Sequence, residues 1–322
     1  VADVVGARPS EVVFNSGATE ANNLALFGTA TQVDRLIVSA IEHPSVLEPA
    51  AVLREAGAAV DILPTDAAGR ADLGVLDRIL AQAPALVSIM AANNEIGTLQ
   101  PLAEIGRLCR SHGAVFHTDA VQALTTQAVD VVEAGVDLLS LSGHKLHGPA
   151  GIGALVVRGG RSLRPLTHGG GQQGGRRPGT VAVALCVGLG AACRLALARR
   201  LQDAVTVAAL RDRLFDALGD GLPSLRRNGP QTGVLPGCLN VTLPGVDAAD
   251  LLLDLPDLAV STGSACSTAA DTSSHVLSAI GLSAADAHSS LRFGLGRGTT
   301  ARDVDDAAAR IIAALRDRGR PG

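Results

Sequence analysis

The stretch from Ala114 to Lys145, AVFHTDAVQALTTQAVDVVEAGVDLLSLSGHK, contains two apolar runs that each lead into polar residues. The runs Ala114–His117 and Asp137–Ser140 have the length and composition of buried strands. The first is followed by Asp119 and the second by Ser142–Lys145. Ligands of open α/β sheets bind beyond the carboxyl ends of the strands. The stretch therefore predicts two strands of an α/β sheet with a functional site at that edge.

The same alternation of apolar runs and helical patterns extends from about residue 10 to residue 200. The other predicted strands are Val12–Phe14, Arg35–Ser39, Val60–Leu63, Leu86–Met90 and Gly153–Val157. The predicted helices are Thr19–Gly28, Ser45–Ala56, Leu73–Gln82 and Pro101–His112. Near-continuous apolar strands that alternate with helices favour a mostly parallel sheet sandwiched by helices.

The pattern changes near residue 200. A long predicted helix, Ala182–Leu218, is followed by shorter strands and a final helix, Thr300–Arg318. The shorter strands are Cys238–Leu243, Leu258–Ser261 and Ser290–Leu295. We therefore predict a large α/β domain over residues 1–200 and a smaller α+β domain over residues 201–322. The second domain carries a loop rich in Ser, Thr, Gly and Ala around Cys266.

Composition limits the classes of partner. A net charge of −4 gives no electrostatic reason to expect nucleic acid or an anionic membrane as the main partner. No apolar run approaches the roughly 20 residues that span a bilayer. None of the five cysteines forms a C-x-x-C pair of the kind typical of zinc or redox sites. These features predict a cytoplasmic protein without a metal site.

Lys145 is the only lysine among 27 basic residues, and the other 26 are arginines. An amine can lose its proton on burial and attack a carbonyl, whereas a guanidinium stays protonated. One interpretation is that Lys145 is kept as a nucleophile for an aldehyde cofactor. The other is that a single surface lysine persists by chance.

If the cofactor is pyridoxal phosphate, the chain must provide a phosphate site, a carboxylate and a flat surface. The segment Ser16–Glu20 follows a strand and opens a helix, which is a geometry that binds phosphate. Asp119 is the candidate partner of the ring nitrogen, and Gln122 could reach the ring oxygen. His43 is the candidate stacking group, because Trp and Tyr are absent. Each residue also has an ordinary structural interpretation, such as helix capping for Asp119.

Eight segments taken together resemble the class I cysteine desulfurases, the NifS/IscS-like branch of the class V aminotransferase superfamily. In order, they are SGATEANN (16–23), EH (42–43), NNEIG (93–97), HTDAVQ (117–122), SGHK (142–145), RPGT (177–180), SAC (264–266) and SLRF (290–293). The resemblance covers nearly the whole chain. It implies the pyridoxal-phosphate-dependent transferase fold of type I.

The resemblance also implies residue roles. Lys145, Cys266 and His43 would be catalytic: Lys145 holds the cofactor and moves a proton, and Cys266 accepts sulfur as a persulfide. The cofactor would be bound by Ala18, Thr19, Asn94, Asp119, Gln122, Ser142, His144, Lys145 and Thr180. Arg292 and Asn94 would bind the substrate, with Arg292 at its carboxylate. Thr180 would reach the cofactor phosphate of a second subunit, which implies a homodimer.

The implied reaction converts L-cysteine to L-alanine and passes sulfur to an acceptor protein, such as an iron–sulfur cluster scaffold. A selenocysteine lyase or another aminotransferase-like enzyme would use the same cofactor residues. Family members also carry several dozen residues before the segment that matches Ser16–Asn23. We therefore expect an N-terminal segment to be missing, and a truncated, inactive sulfur-relay protein is a further alternative.

Overall fold

A computed structural model describes residues 1–262 and 274–318. The described chain forms two compact units. The first comprises Val1–Thr65, Arg70–Asn93 and Leu99–Arg200, and the second comprises Asp66–Gly69, Asn94–Thr98 and the described residues from Leu201 onwards. The predicted division at residue 200 placed the two short segments in the first domain. They belong to the second because, for example, Thr98 forms a β-bridge with Val234.

The first unit is built around one sheet whose elements alternate along the chain. They are β1 (Val12–Asn15), α1 (Ala18–Thr29), β2 (Arg35–Ser39), α2 (Pro44–Glu55), β3 (Ala59–Leu63), α3 (Leu73–Leu80), β4 (Ala85–Ser88), α4 (Leu102–Ser111), β5 (Val115–Asp119), β6 (Leu138–Ser142) and β7 (Gly153–Val157). The strand order is β1-β7-β6-β5-β4-β2-β3.

Five neighbouring strands of this sheet, β3, β2, β4, β5 and β6, run parallel. Every residue of β5, β6 and β7 is buried, as expected for strands covered on both faces. Helix α1 packs against β5, β6 and β7, and α4 packs against β5. The predicted mixed α/β fold with a mainly parallel sheet flanked by helices is confirmed.

One strand of this sheet, β7, runs opposite to the other six. β7 pairs antiparallel with both β6 and β1, so β1 runs in the same direction as β6. The predicted strand ends also shift. β5 continues to Asp119, which pairs with Ser140, and β6 continues to Ser142, which pairs with Gly153. These two polar residues are therefore the last residues of their strands.

The second unit contains an antiparallel sheet of strand order β10-β11-β9-β8 within the described residues. After α5 (Val183–Gly221), in which the chain passes from the first unit to the second, come β8 (Arg226–Arg227), β9 (Cys238–Thr242), α6 (Ala248–Leu253), β10 (Ser261–Thr262), α7 (His275–Ala279), α8 (Ala284–His288), β11 (Ser290–Gly294) and α9 (Ala301–Asp317). The predicted strand Leu258–Ser261 is thus shorter and displaced towards Thr262.

A leucine-rich core holds this unit together. Helix α9 begins with a capping box in which Thr300 and Asp303 bond each other's backbone N–H groups. Its buried face packs with residues of α5, β9 and β11. The core includes Leu214, Leu218, Val241, Leu291, Phe293, Val304, Ala308, Ile311 and Leu315. No helix among the described residues is both long and apolar enough to cross a membrane.

Candidate active site

The predicted site residues of the first unit lie where strands end. Asp119 ends β5 and Ser142 ends β6, and the two strands are neighbours in the sheet. His43 follows β2 and is the N-cap of α2. Ala18 begins α1 directly after β1, which runs in the direction of β6. The topology therefore directs these residues to the carboxyl edge of the sheet, where α/β folds bind ligands.

Asp119 is a buried carboxylate with only 6% of its surface exposed. Its Oδ2 accepts a 2.7 Å hydrogen bond from Asn22 Nδ2, and its Oδ1 accepts a 2.9 Å bond from the backbone N–H of Val121. Burial raises the pKa of Asp119 in spite of these bonds, because the charged form loses its hydration. The ion pairs among the described residues do not include Asp119. A bound cation would therefore stabilise its charged form.

His43 is held at the start of α2 by its own imidazole. Nδ1 accepts a 3.1 Å hydrogen bond from the backbone N–H of Ser45 and lies 2.8 Å from Ser45 Oγ. Pro44 occupies the first helical position, where its missing N–H removes no helical bond. The Glu-His-Pro-Ser sequence therefore places the His43 ring in a defined position.

The N-terminus of α1 has no side-chain cap. Its N-cap is Gly17 at φ 148°, and the backbone N–H groups of Ala18 and Thr19 have no acceptor among the described residues. A Cβ built on Gly17 would lie 3.8 Å from Ser142 Oγ, so the end of β6 approaches this turn. Ser142 Oγ in turn lies 2.8 Å from His144 Nδ1. Backbone donors and side-chain groups thus meet in a geometry that suits a phosphate.

Lys145 lies on a single helical turn, Gly143–Leu146, that follows β6. The turn packs closely against the chain at Pro149: a Cβ on Gly143 would lie only 2.7 Å from the backbone oxygen of Pro149, so a larger residue does not fit at this position. Lys145 is exposed. Burial and the nearby charge of Lys145 lower the pKa of His144, which favours a neutral imidazole beside Ser142.

Gln122 and Thr180 are also in the first unit. Gln122 is half-buried in the turn after β5, and Thr180 is exposed. An ion pair between Arg177 Nε and Glu20 Oε1, 2.8 Å long, joins the Arg177–Thr180 segment to the first turn of α1. Arg177 is therefore held at the first turn of α1.

The residues predicted to bind the substrate belong to the second unit. Arg292 Nη1 donates a 3.3 Å hydrogen bond to the backbone oxygen of Asn94. Burial raises the pKa of the adjacent Glu95, and Ser274 Oγ donates a 2.5 Å bond to Glu95 Oε2. Cys266 lies outside the described residues.

Three buried polar residues near Asp119 and His43 were not predicted from the sequence. Asn22 and Ser45 link the two predicted residues, and Glu42 Oε1 accepts 2.8 Å bonds from Ser39 Oγ and the backbone N–H of Met90. Burial raises the pKa of Glu42 to about 8. A signal existed: Asn22 is polar but lies one turn before the apolar Ala25 and Leu26, on the same face of α1.

Pyridoxal phosphate fits the residues that are present. The uncapped N-terminus of α1 provides donors for a phosphate, and Asp119 is a buried carboxylate that a ring N–H⁺ would satisfy. Lys145 provides an amine on the turn that contains His144.

Comparisons of the sequence and of the structure with known proteins indicate the same family. Residues 1–306 match the aminotransferase class-V family. The chain is 45% identical over 318 residues to the mitochondrial cysteine desulfurase of Drosophila melanogaster, covering 97% of this chain and 69% of that protein. A solved NifS-like protein superposes with a TM-score of 0.90 at 33% identity, covering 98% of this chain and 85% of that one. The structure titled SspA in complex with cysteine gives a TM-score of 0.81 at 37% identity, covering 93% and 85%.

An identity above 40% over nearly the full chain, together with a close structural match, is far beyond what a shared fold alone produces. The chain belongs to the aminotransferase class-V family and, within it, to the NifS-like cysteine desulfurases.

Proposed function

We propose that the chain is a pyridoxal-phosphate-dependent cysteine desulfurase that converts L-cysteine to L-alanine and retains the sulfur as a persulfide on Cys266. The observation that supports it most is the buried carboxylate of Asp119, hydrogen-bonded through Asn22 to the segment that carries His43. A carboxylate in this position is needed to keep the pyridine nitrogen of the cofactor protonated. The relatives of the chain are cysteine desulfurases, which fits this chemistry.

The residues proposed to bind the cofactor have separate roles. Ala18, Thr19, Ser142 and His144 would bind the phosphate, and Lys145 would hold the aldehyde group through its amine. Asp119 would pair with the ring nitrogen, Gln122 and Asn94 would contact the ring oxygen, and His43 would stack on the ring. When bound, pyridoxal phosphate supplies an electron sink for the pair left at the substrate Cα.

Proton transfer is assigned to Lys145 and His43. Lys145 Nζ would take the proton from the substrate Cα. It can do so only as a neutral amine, which an arginine could not provide. Arg292 binds the substrate carboxylate with its planar guanidinium and so fixes the Cα–H bond for this transfer.

Sulfur transfer is assigned to Cys266. Its thiolate attacks the sulfur of the substrate, so an S–S bond forms while the substrate C–S bond breaks. The electron pair of the broken bond stays with Cβ, which takes a proton. Lys145 returns to Cα the proton that it took, and alanine leaves. The protein keeps the sulfur as a persulfide, and the step needs no external oxidant or reductant.

The persulfide is passed to an acceptor protein, for which an iron–sulfur cluster scaffold is the proposed example. Thr180 binds the cofactor phosphate of a second copy of the chain in a homodimer. The cytoplasm remains the predicted compartment, although the Drosophila relative is a mitochondrial protein.

The test is to supply the purified chain with pyridoxal phosphate, L-cysteine and dithiothreitol, and to quantify alanine and sulfide. Equal amounts of both are expected, with none from Lys145→Ala. Cys266→Ser should bind the cofactor as the parent chain does and form neither product. A keto acid in place of alanine would identify an aminotransferase instead. Equal or greater rates with selenocysteine would identify a selenocysteine lyase.

A further inference from the structure

A continuous chain of hydrogen bonds connects Asp119 to His43. Asn22 Nδ2 lies 2.7 Å from Asp119 Oδ2 and 2.8 Å from Ser45 Oγ. Ser45 Oγ lies 2.8 Å from His43 Nδ1. Asn22 is fully buried and Ser45 is 8% exposed, so water does not compete for these bonds. The chain joins residues that are 97 and 23 positions apart, and it brings α1, α2 and the end of β5 together.

The direction of each bond follows from the donors available. The backbone N–H of Ser45 donates to His43 Nδ1 at 3.1 Å, and a backbone N–H can only donate. Nδ1 therefore carries no hydrogen in this arrangement. Ser45 Oγ must then be the donor in its bond to Nδ1, and it must accept from Asn22. The Asn22 amide therefore donates one N–H hydrogen to Asp119 and the other to Ser45.

The reverse arrangement is unfavourable at both ends. Turning the Asn22 amide would place its oxygen against the Asp119 carboxylate and leave Ser45 without a donor. Moving the hydrogen of His43 to Nδ1 would direct it at the Ser45 N–H. Asn22 Oδ1 is buried without a hydrogen-bond partner among the described residues, as expected if the two N–H bonds decide the orientation.

We infer that Asn22 and Ser45 are positioning residues that hold His43 in the tautomer with its hydrogen on Nε2. This inference deepens the proposed function, on which the role of His43 rests. It makes Nε2 the donor nitrogen of the neutral ring, since Nδ1 is engaged by Ser45. His43 then enters the reaction as a neutral ring that can donate a hydrogen bond from Nε2. Receiving a proton would require the bonds at Nδ1 to break first.

The tautomer can be measured without cofactor or turnover. The full chain is labelled with ¹⁵N-histidine, and the ring nitrogens are detected through their long-range couplings to ring protons. A His43→Asn variant identifies the His43 signals by their loss. The inference predicts an unprotonated Nδ1 and a protonated Nε2 near pH 7. A hydrogen on Nδ1, or a doubly protonated ring, would overturn it.

Variants separate the hydroxyl from the backbone bond. Ser45→Ala keeps the backbone N–H donor but removes the hydroxyl, so the Nδ1 resonance should move towards that of an unbonded acceptor nitrogen. Ser45→Thr should restore it. Ser88→Ala is the matched control, because Ser88 Oγ lies 2.8 Å from Nδ1 of a different buried histidine, His117. It should alter the His117 signals and leave those of His43 in place. An unchanged Nδ1 signal in Ser45→Ala would contradict the inference.

A kinetic measurement tests whether the positioning matters for the reaction. In the cofactor-loaded protein, Ser45→Ala should lower kcat for alanine formation by about fivefold, the effect of one hydrogen bond. KM should change by less than about twofold, since Ser45 is not assigned to the substrate. An unchanged kcat would overturn the role in the reaction. If the parent chain forms no alanine, the proposed function fails, and the tautomer measurement still decides the arrangement.

Discussion

Among single residues, Glu42 has the most unusual environment. It is fully buried next to His43, and burial together with the nearby Asp119 raises its pKa from 4.5 to about 8. Hydrogen bonds from Ser39 and Met90 lower the pKa of Glu42, but they only partly offset the effect of burial. Glu42 is therefore protonated in the folded chain at neutral pH, while it is ionised in the unfolded chain.

This difference predicts a pH-dependent stability. Between pH 4.5 and about 8 the folded state binds more protons at Glu42 than the unfolded state does. The free energy of unfolding should then fall by up to about 1.4 kcal/mol per pH unit from this group. Glu42→Gln lacks this contribution, so in urea denaturation the parent should lose stability relative to the variant as pH rises. Parallel pH profiles for the two chains would contradict the assignment.

Asp119 allows a second prediction at the same scale. Asp119→Asn keeps a side chain of the same shape but removes the negative charge from the proposed ring-nitrogen position. Losing a buried charge pair costs about 3 kcal/mol. If this cost falls on the transition state, the rate of alanine formation should fall roughly 100-fold. Steady-state kinetics with saturating cofactor measures it. A fall of less than about threefold would exclude the proposed pairing.

The helices and strands show how much of the fold can be predicted from local sequence patterns. Apolar runs correctly predicted the central strands, because strands buried on both faces need continuous apolar residues. The same runs contain no information about strand direction, so the antiparallel pairing of β7 with β6 and β1 was not predicted. The links through Asn22 and Ser45 were also missed. They join distant parts of the chain, so a local pattern can mark Asn22 as an unusual polar residue but cannot identify its partners.

The turn between β1 and α1 gives a prediction at the element scale. Gly17 has φ 148°, where a Cβ is unfavourable, and its turn places the free N–H groups of α1. Gly17→Ala should weaken cofactor binding by about tenfold in a titration followed by absorbance, from strain of roughly 1–3 kcal/mol.

Gly113→Ala is its control, since Gly113 also has a positive φ, 67°, and has open space around it. It should lower the thermal midpoint and leave cofactor affinity unchanged. Equal affinities for the parent chain and Gly17→Ala would show that this turn does not bind the phosphate.

Across the whole molecule, the proposed roles are divided between two units. The first carries the residues proposed to bind the cofactor, except Asn94, which joins Arg292 in the second. Sequence patterns indicated a change near residue 200, yet they assigned the Asn94–Thr98 segment to the first domain. The segment belongs to the second unit because Asn240 Nδ2 and Cys238 Sγ donate to the backbone oxygen of Glu95. Such bonds form only once the chain has folded.

The most direct measurement uses the fact that the chain has a single lysine. The protein is loaded with pyridoxal phosphate, treated with borohydride to make the attachment permanent, digested, and analysed by mass spectrometry. One pyridoxyl group is predicted, on the peptide that contains Lys145, and the Lys145→Arg variant should carry none. Labelling of the N-terminal amine instead of Lys145, or no labelling of a chain that still converts cysteine to alanine, would contradict the proposed catalytic role of Lys145.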